Sequence, residues 1–315
     1  MMRSRAAAGI GALAVGALGL TGCSEEAPAE QRSGEVQSIG LMVQDLSNPF
    51  FQAMAEGVTS RADELGASVN VQDGRQDLAA QNEQIDAFIQ QGIDVLLLNA
   101  VDSEGIGPAV SRAKDAGMVV VAVDVTAKGA DATVTLDNTE AGELACEYLA
   151  EEIGGSGDII IVDGRPISSI QDRVAGCDRA LERYPEIRVV AQQNGDNGRA
   201  LALDLTTDMI TANPGIVGIF GVNDPTALGA NLAAQQAGFS DLVIVGVDAS
   251  PEGVSELEID GSMFSGTPAQ DPNSQGSIAL DMAVSLMAGE TLEDDLVLVP
   301  TELITRENVA DYPGW

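Results

Sequence analysis

From residue 37 onward the chain alternates short, continuous Val/Ile/Leu runs with amphipathic stretches, and this constrains the fold more than any other feature. The first half reads SIGLMVQ (38–44), an amphipathic segment at 49–65, SVNVQ (68–72), a helix over 79–91, VLLLNA (95–100), a helix over 106–116 and MVVVAVDV (118–125). The apolar runs do not alternate with polar residues, as expected of strands covered by helices on both faces. The order βαβαβαβ predicts a parallel, doubly wound sheet. The pattern then restarts. A helix over 139–153 precedes DIIIVD (158–163), a helix over 172–184, RVVAQQ (188–193), a helix over 200–212, IVGIFGV (216–222) and a helix over 225–237. LVIVGVD (242–248), a short helix near 252–259 and MFSG (263–266) end the second series, so the chain is expected to form two similar α/β lobes. Spacing alone leaves open which lobe receives the late helix (274–288) and the run LVLVP (296–300).

The N-terminal residues address the compartment. Arg3 and Arg5 precede fifteen residues, 6–20, that are apolar or small. A bilayer span needs roughly 20 apolar residues, so the segment reads as a secretory signal. It ends in Leu20-Thr21-Gly22-Cys23, which resembles the bacterial lipobox, in which the cysteine becomes the lipid-bearing first residue. The expected organisation is a lipoprotein signal peptide at 1–22 and a polar tether at 23–35 that holds the folded part near the membrane. Cys146 and Cys177 then remain. In an exported chain they form a disulfide or pack as two small buried residues, and pairing is the expectation.

The chain holds 15 Lys+Arg against 49 Asp+Glu, a formal charge of −34, spread along its length. Such a surface repels nucleic acid and anionic lipid, so neither is expected as a partner; it reads as a solvated surface, with adaptation to high salt as the alternative. Histidine is absent, which excludes Ser-His-Asp, Cys-His and histidine-metal sites, and no metal or cofactor is expected. There is no GxGxxG or GxxxxGK[ST] to cradle phosphates.

Ligands of open parallel sheets bind beyond the carboxyl ends of the strands. At those ends this chain places Asp45-LSNPFF, Asp124, Arg165, Asn223-Asp224, Asp248 and Gln270. Carboxylates, amides and an arginine suit a neutral polyhydroxylated solute, whose hydroxyls donate and accept. Phe50 and Phe51 offer flat faces for its C–H side, although each could instead be core, and Asp124 and Asp248 could merely cap helices.

The segments SNPFFQAMAEGV (47–58), NAVDSEGIGPAV (99–110), IFGVNDPTALGA (219–230) and VGVDASPEG (245–253) resemble the ribose-type periplasmic sugar-binding proteins of ABC importers. The resemblance runs from 36 to about 305. It implies an α/β fold of two doubly wound parallel-sheet lobes joined by three crossover strands, the type I periplasmic binding protein fold. The crossovers would lie near 136–137, 270–271 and 300–301, dividing the chain into 36–136 plus 271–300 and 137–270 plus 301–315. It further implies that Asn48, Phe50, Phe51 and Asp124 line a cleft from one lobe, Arg173, Asn223 and Asp248 from the other, with Gln270 at the hinge. Two positions depart from the family pattern. Val125 stands where an arginine follows the first-lobe aspartate, and Asn197 stands where a third aromatic is expected. The implied function is capture of a small neutral sugar, pentose-like, or a polyol, by a monomer that delivers it to a membrane permease. A sensor presenting its closed form to a receptor would have the same cleft. A carbohydrate-active enzyme needs only two carboxylates at a set separation, but every cleft residue matches a binding position. A two-lobed transcriptional repressor would carry a DNA-binding helix pair where this chain has its signal.

Overall fold

The computed structural model describes residues 34–315. The signal segment, Cys23 and the tether up to residue 33 lie outside the described residues.

The first sheet takes β1 (Ser38–Val43), β2 (Ser68–Asp73), β3 (Val95–Leu98), β4 (Val119–Val123) and β5 (Ala132–Leu136), with α1 (Pro49–Leu65), α2 (Leu78–Gln91) and α3 (Gly107–Asp115) between them. The second takes β6 (Ser156–Asp163), β7 (Glu186–Asn194), β8 (Ile216–Gly221), β9 (Val243–Val245) and β10 (Phe264–Pro268). Its helices are α4 (Asn138–Glu152), α5 (Ser168–Leu181), α6 (Arg199–Ala212), α7 (Asp224–Gln236) and α8 (Pro251–Leu257). After α9 (Pro272–Met287), β11 (Leu296–Val299) and β12 (Leu303–Thr305) complete the sheets. The orders are β2-β1-β3-β4-β5-β11 and β7-β6-β8-β9-β10-β12, the same topology twice. All pairings are parallel except β10 with β12. The chain passes from one sheet to the other after β5, after β10 and between β11 and β12.

The central strands behave as their composition requires: β3 is buried along its whole length. The sequence reading omitted β5, whose ATVTL intersperses threonine among apolar residues and lacks a long apolar run; it is a strand because β4 and β11 flank it. Helix starts obey local chemistry. Asn48, Asp77, Asn223, Ser250 and Asp271 each accept a backbone N–H at an N-cap, and proline comes within two residues at four of them, consistent with its preference for the first turn.

Each lobe brings its crossover helix against its first helix through glycine. A Cβ on Gly57 of α1 would overlap the Asn273 carbonyl oxygen of α9. One on Gly142 of α4 would overlap Arg173 O of α5, and one on Gly176 of α5 would overlap Thr139 O. Beside that second contact Cys146 and Cys177 form the expected disulfide, both fully buried. Among the described residues no helix is long and apolar enough to cross a membrane.

Candidate functional site

Two lobes with the same strand order present the same strand ends to each other, and a cavity of about 510 Å³ lies between them. Such a volume is in the range of small-molecule sites. The lobes meet in a closed arrangement. Arg165 Nη1 donates to Gln76 O (3.2 Å), Thr126 N–H to Ser168 Oγ (2.8 Å) and Ser168 N–H to Ser103 Oγ (3.4 Å), all across the interlobe boundary.

The walls are built by helix starts and strand ends. Asn48 caps α1 through its Oδ1, accepting from Phe50 N–H at 2.9 Å. Phe50 and Phe51 pack edge to face, centroids 5.2 Å apart. They line the cavity and also belong to the first lobe's apolar core, so the two readings of this pair are both true. Asp124 follows β4 with φ 67° and Asp248 follows β9 with φ 141°, left-handed values uncommon outside glycine. Holding two aspartates in such conformations costs free energy, and strain of this kind concentrates at ligand clamps.

A chain of hydrogen bonds fixes the charged groups. Asn99 Nδ2 donates to Asp124 Oδ2 (2.9 Å) and to Val123 O; among the described residues no partner reaches Asp124 Oδ1. Arg173 is 3% exposed. Its Nε donates to Asn138 Oδ1 (2.9 Å), and its Nη1 to Val222 O (2.9 Å) and Asp248 Oδ1 (3.3 Å). Gln270 Nε2 donates to Asp248 Oδ1 (2.7 Å) and its Oε1 accepts from Gln275 Nε2 (3.1 Å). Asn138 begins α4 just past one crossover and Gln270 precedes α9 at another. Arg173 and Asp248 therefore tie two crossovers together.

Burial pushes the Asp124 carboxyl up to about 6, against the opposing Arg173 charge and the Asn99 hydrogen bond. Asp248 is raised for the same reason, with Arg173 and Gln270 opposing. Asp224 goes up to about 7, by burial first and the nearby Asp248 charge second. Asp224 does not line the cavity; it accepts from Ser250 N–H, Ser250 Oγ and Thr267 Oγ1, pinning the turn that carries Asp248.

Asn48, Phe50, Phe51, Asp124, Arg173, Asn197, Asn223, Asp248 and Gln270 all line the cavity. Asn223 spends its Oδ1 on capping α7 and donates from Nδ2 to Asn197 O. Val125 is the exception. It is fully buried within an apolar cluster that also contains Ile167 and Ile170, and it does not line the cavity. Counting it as a ligand-binding position is corrected here: the chain turns at Asp124, whose carboxylate takes the cavity while the next side chain takes the core. The sequence reading missed Gln44, Gln76 and Ser169 on the walls, none of which stands in a distinctive motif. It also made nothing of Trp315, which does not line the cavity but stands edge-on to Phe50, which does.

Residues 39–291 match the periplasmic binding protein domain family. The chain belongs to the periplasmic binding protein family. A ribose import binding protein of Bacillus subtilis is 30% identical over 91% of this chain and 95% of its own. A xylitol-binding protein of Mycolicibacterium smegmatis is 31% identical over 95% of this chain and 86% of its own. Among solved structures, an ABC transporter solute-binding protein of Mycobacterium smegmatis with bound glycerol superposes with a TM-score of 0.84 at 29% identity, covering 89% of this chain and 98% of its own. The two-lobed fold and the ribose-type assignment expected from the motifs are thus shown.

Proposed function

We propose that this periplasmic binding protein captures a pentose or a linear polyol in the interlobe cavity and hands it to an ABC importer. The observation that carries the choice of solute is the make-up of the walls. Buried Asp124 and Asp248 flank Arg173, giving acceptors and a fixed donor fork for hydroxyls, while Asn197 stands where a stacking ring would be. With flat apolar cover supplied only by Phe50 and Phe51 among the cavity-lining residues, recognition leans on hydroxyls more than on a sandwiched ring. Relatives named for ribose and for xylitol support both solute shapes.

Binding drives closure because a solute that bridges both walls has greater affinity for the closed state. In the same reading the chain works as an exported monomer held to the outer face of the membrane through Cys23, and its closed face docks on the permease. A thermal-shift panel of pentoses, hexoses and polyols on dialysed protein tests the solute. Ligand at a hundredfold its Kd adds about 2.7 kcal/mol, so a polyol or pentose that fits raises Tm by roughly 5–10 °C. Strong stabilisation by ribose with none from any polyol would remove the polyol reading; no response to any member of the panel would remove the function.

A further inference from the structure

The C-terminal residues leave the second lobe and end against the first. β12 pairs with β10 in the second sheet, and Val309 and Tyr312 pack into that lobe's core. Trp315, the chain's single tryptophan, packs instead against the first lobe's core cluster. Its ring stands edge-on to Phe50, with centroids 5.9 Å apart and planes at 86°. Its Nε1–H donates to Asp248 O at 3.0 Å. One side chain therefore touches a cavity-lining aromatic of the first lobe and the backbone of the cavity-lining carboxylate of the second. The Asp248 carbonyl belongs to a turn with φ 141° at Asp248 and 47° at Ala249, so a donor fixed on it holds a conformation the backbone does not favour. Beside the indole a small cavity of about 50 Å³ is lined by Asn48, Pro49 and Phe50 from one lobe and Pro225, Leu228 and Ser250 from the other, so the indole lies at an interlobe seam.

We propose that Trp315 is a positioning residue of the binding site that latches the closed state, seating Phe50 and Asp248 together as the lobes meet. The proposal rests on the solute-binding reading above. A half-buried indole gains from both an apolar partner and an acceptor for its N–H, and here the two come from different lobes. Opening the cleft separates those partners, so the contact favours the closed state alone. Apparent affinity scales with the closed population, and loss of the latch weakens all solutes by one factor.

Xylitol and D-ribose are titrated calorimetrically into wild type, Trp315→Phe and Trp315→Ala. Release is followed by chasing radiolabelled solute with excess unlabelled solute, because the variants carry no tryptophan to report it. Losing the ring pair and the hydrogen bond in Trp315→Ala is expected to weaken binding about tenfold, mainly through faster release. Trp315→Phe keeps a ring against Phe50 and is expected to recover part of the loss, to about threefold. In wild type, ligand is expected to shield the indole from acrylamide. A second arm needs no solute: a Ser103→Cys/Ser168→Cys pair, oxidised, locks the closed lobes, and Trp315 quenching is expected to fall relative to ligand-free wild type. Unchanged quenching in the locked form, or Trp315→Ala binding within twofold of wild type, overturns the latch. If neither solute binds wild type, the solute reading fails and the locked form still decides the latch.

Discussion

Replacing Arg173 by methionine keeps a side chain of similar reach and removes the charge on which the cavity's electrostatics turn. Arg173 is 3% exposed, and its guanidinium donates to Asn138, Val222 and Asp248 and opposes the burial that raises both Asp124 and Asp248. Without it, Asp248 becomes a buried carboxylate with no cationic partner, and removing one member of a buried pair costs about 3–5 kcal/mol. For a chain of this size that is roughly 6–20 °C in Tm. The cost depends on pH in a definite direction. Asp124 and Asp248 already titrate above the ordinary carboxyl value, and without Arg173 both rise further. A carboxyl whose folded pKa exceeds its unfolded one favours folding at low pH, and that contribution is lost as pH rises through the folded value. The deficit of Arg173→Met relative to wild type is therefore largest near pH 8 and shrinks toward about pH 5, below the value near 6 to which Asp124 is raised. Thermal melts at both pH values, with circular dichroism at low temperature to establish that the fold is retained, measure this, and calorimetry is expected to show most solute affinity gone. A deficit equal at both pH values, or larger in acid, would refute the account of the buried charges; unchanged affinity would refute the placement of the solute.

Solute affinity itself is expected to fall as pH drops from about 7 to 5, by up to tenfold per unit, because a hydroxyl donating to Asp124 returns its raised pKa toward the ordinary value. Calorimetry across that range checks it, and Asp124→Asn should flatten the profile. Val125→Arg, which restores the family's arginine on paper, is expected to cost about 3–5 kcal/mol by burying an unpaired charge and to gain no affinity; tighter binding with an unchanged melt would show the side chain reaching the cavity. Cys146→Ala/Cys177→Ala opens a link of sequence separation 31 and should lose about 3–4 kcal/mol, read from denaturant midpoints against the oxidised wild type. Gly142→Ala would press a methyl on Arg173 O and is expected to cost about 1–3 kcal/mol, with weakened binding as α5 shifts and carries Arg173 with it.

Much of this protein is legible along the chain because its determinants are local. Apolar runs bounded by capping residues mark the strands and helices, and the strand ends name Asp124, Asp248 and the Asn48–Phe51 segment without any knowledge of packing. What was missed has long-range causes. The β5 strand lacks a continuous apolar run and exists through its neighbours. The late helix and β11 carry no local mark of their lobe; α9 joins the first because Gly57 and Gly276 let it approach α1, and β11 because it pairs with β5. Local pattern thus determined two wound sheets and the residue types at their facing ends. Tertiary structure alone decided that Arg173 ties Asp248 to Asn138, that Val125 faces the core and that Trp315 reaches Phe50. Each of those depends on where a side chain points once distant segments have docked, a direction set by backbone angles and packing that no short stretch of sequence contains.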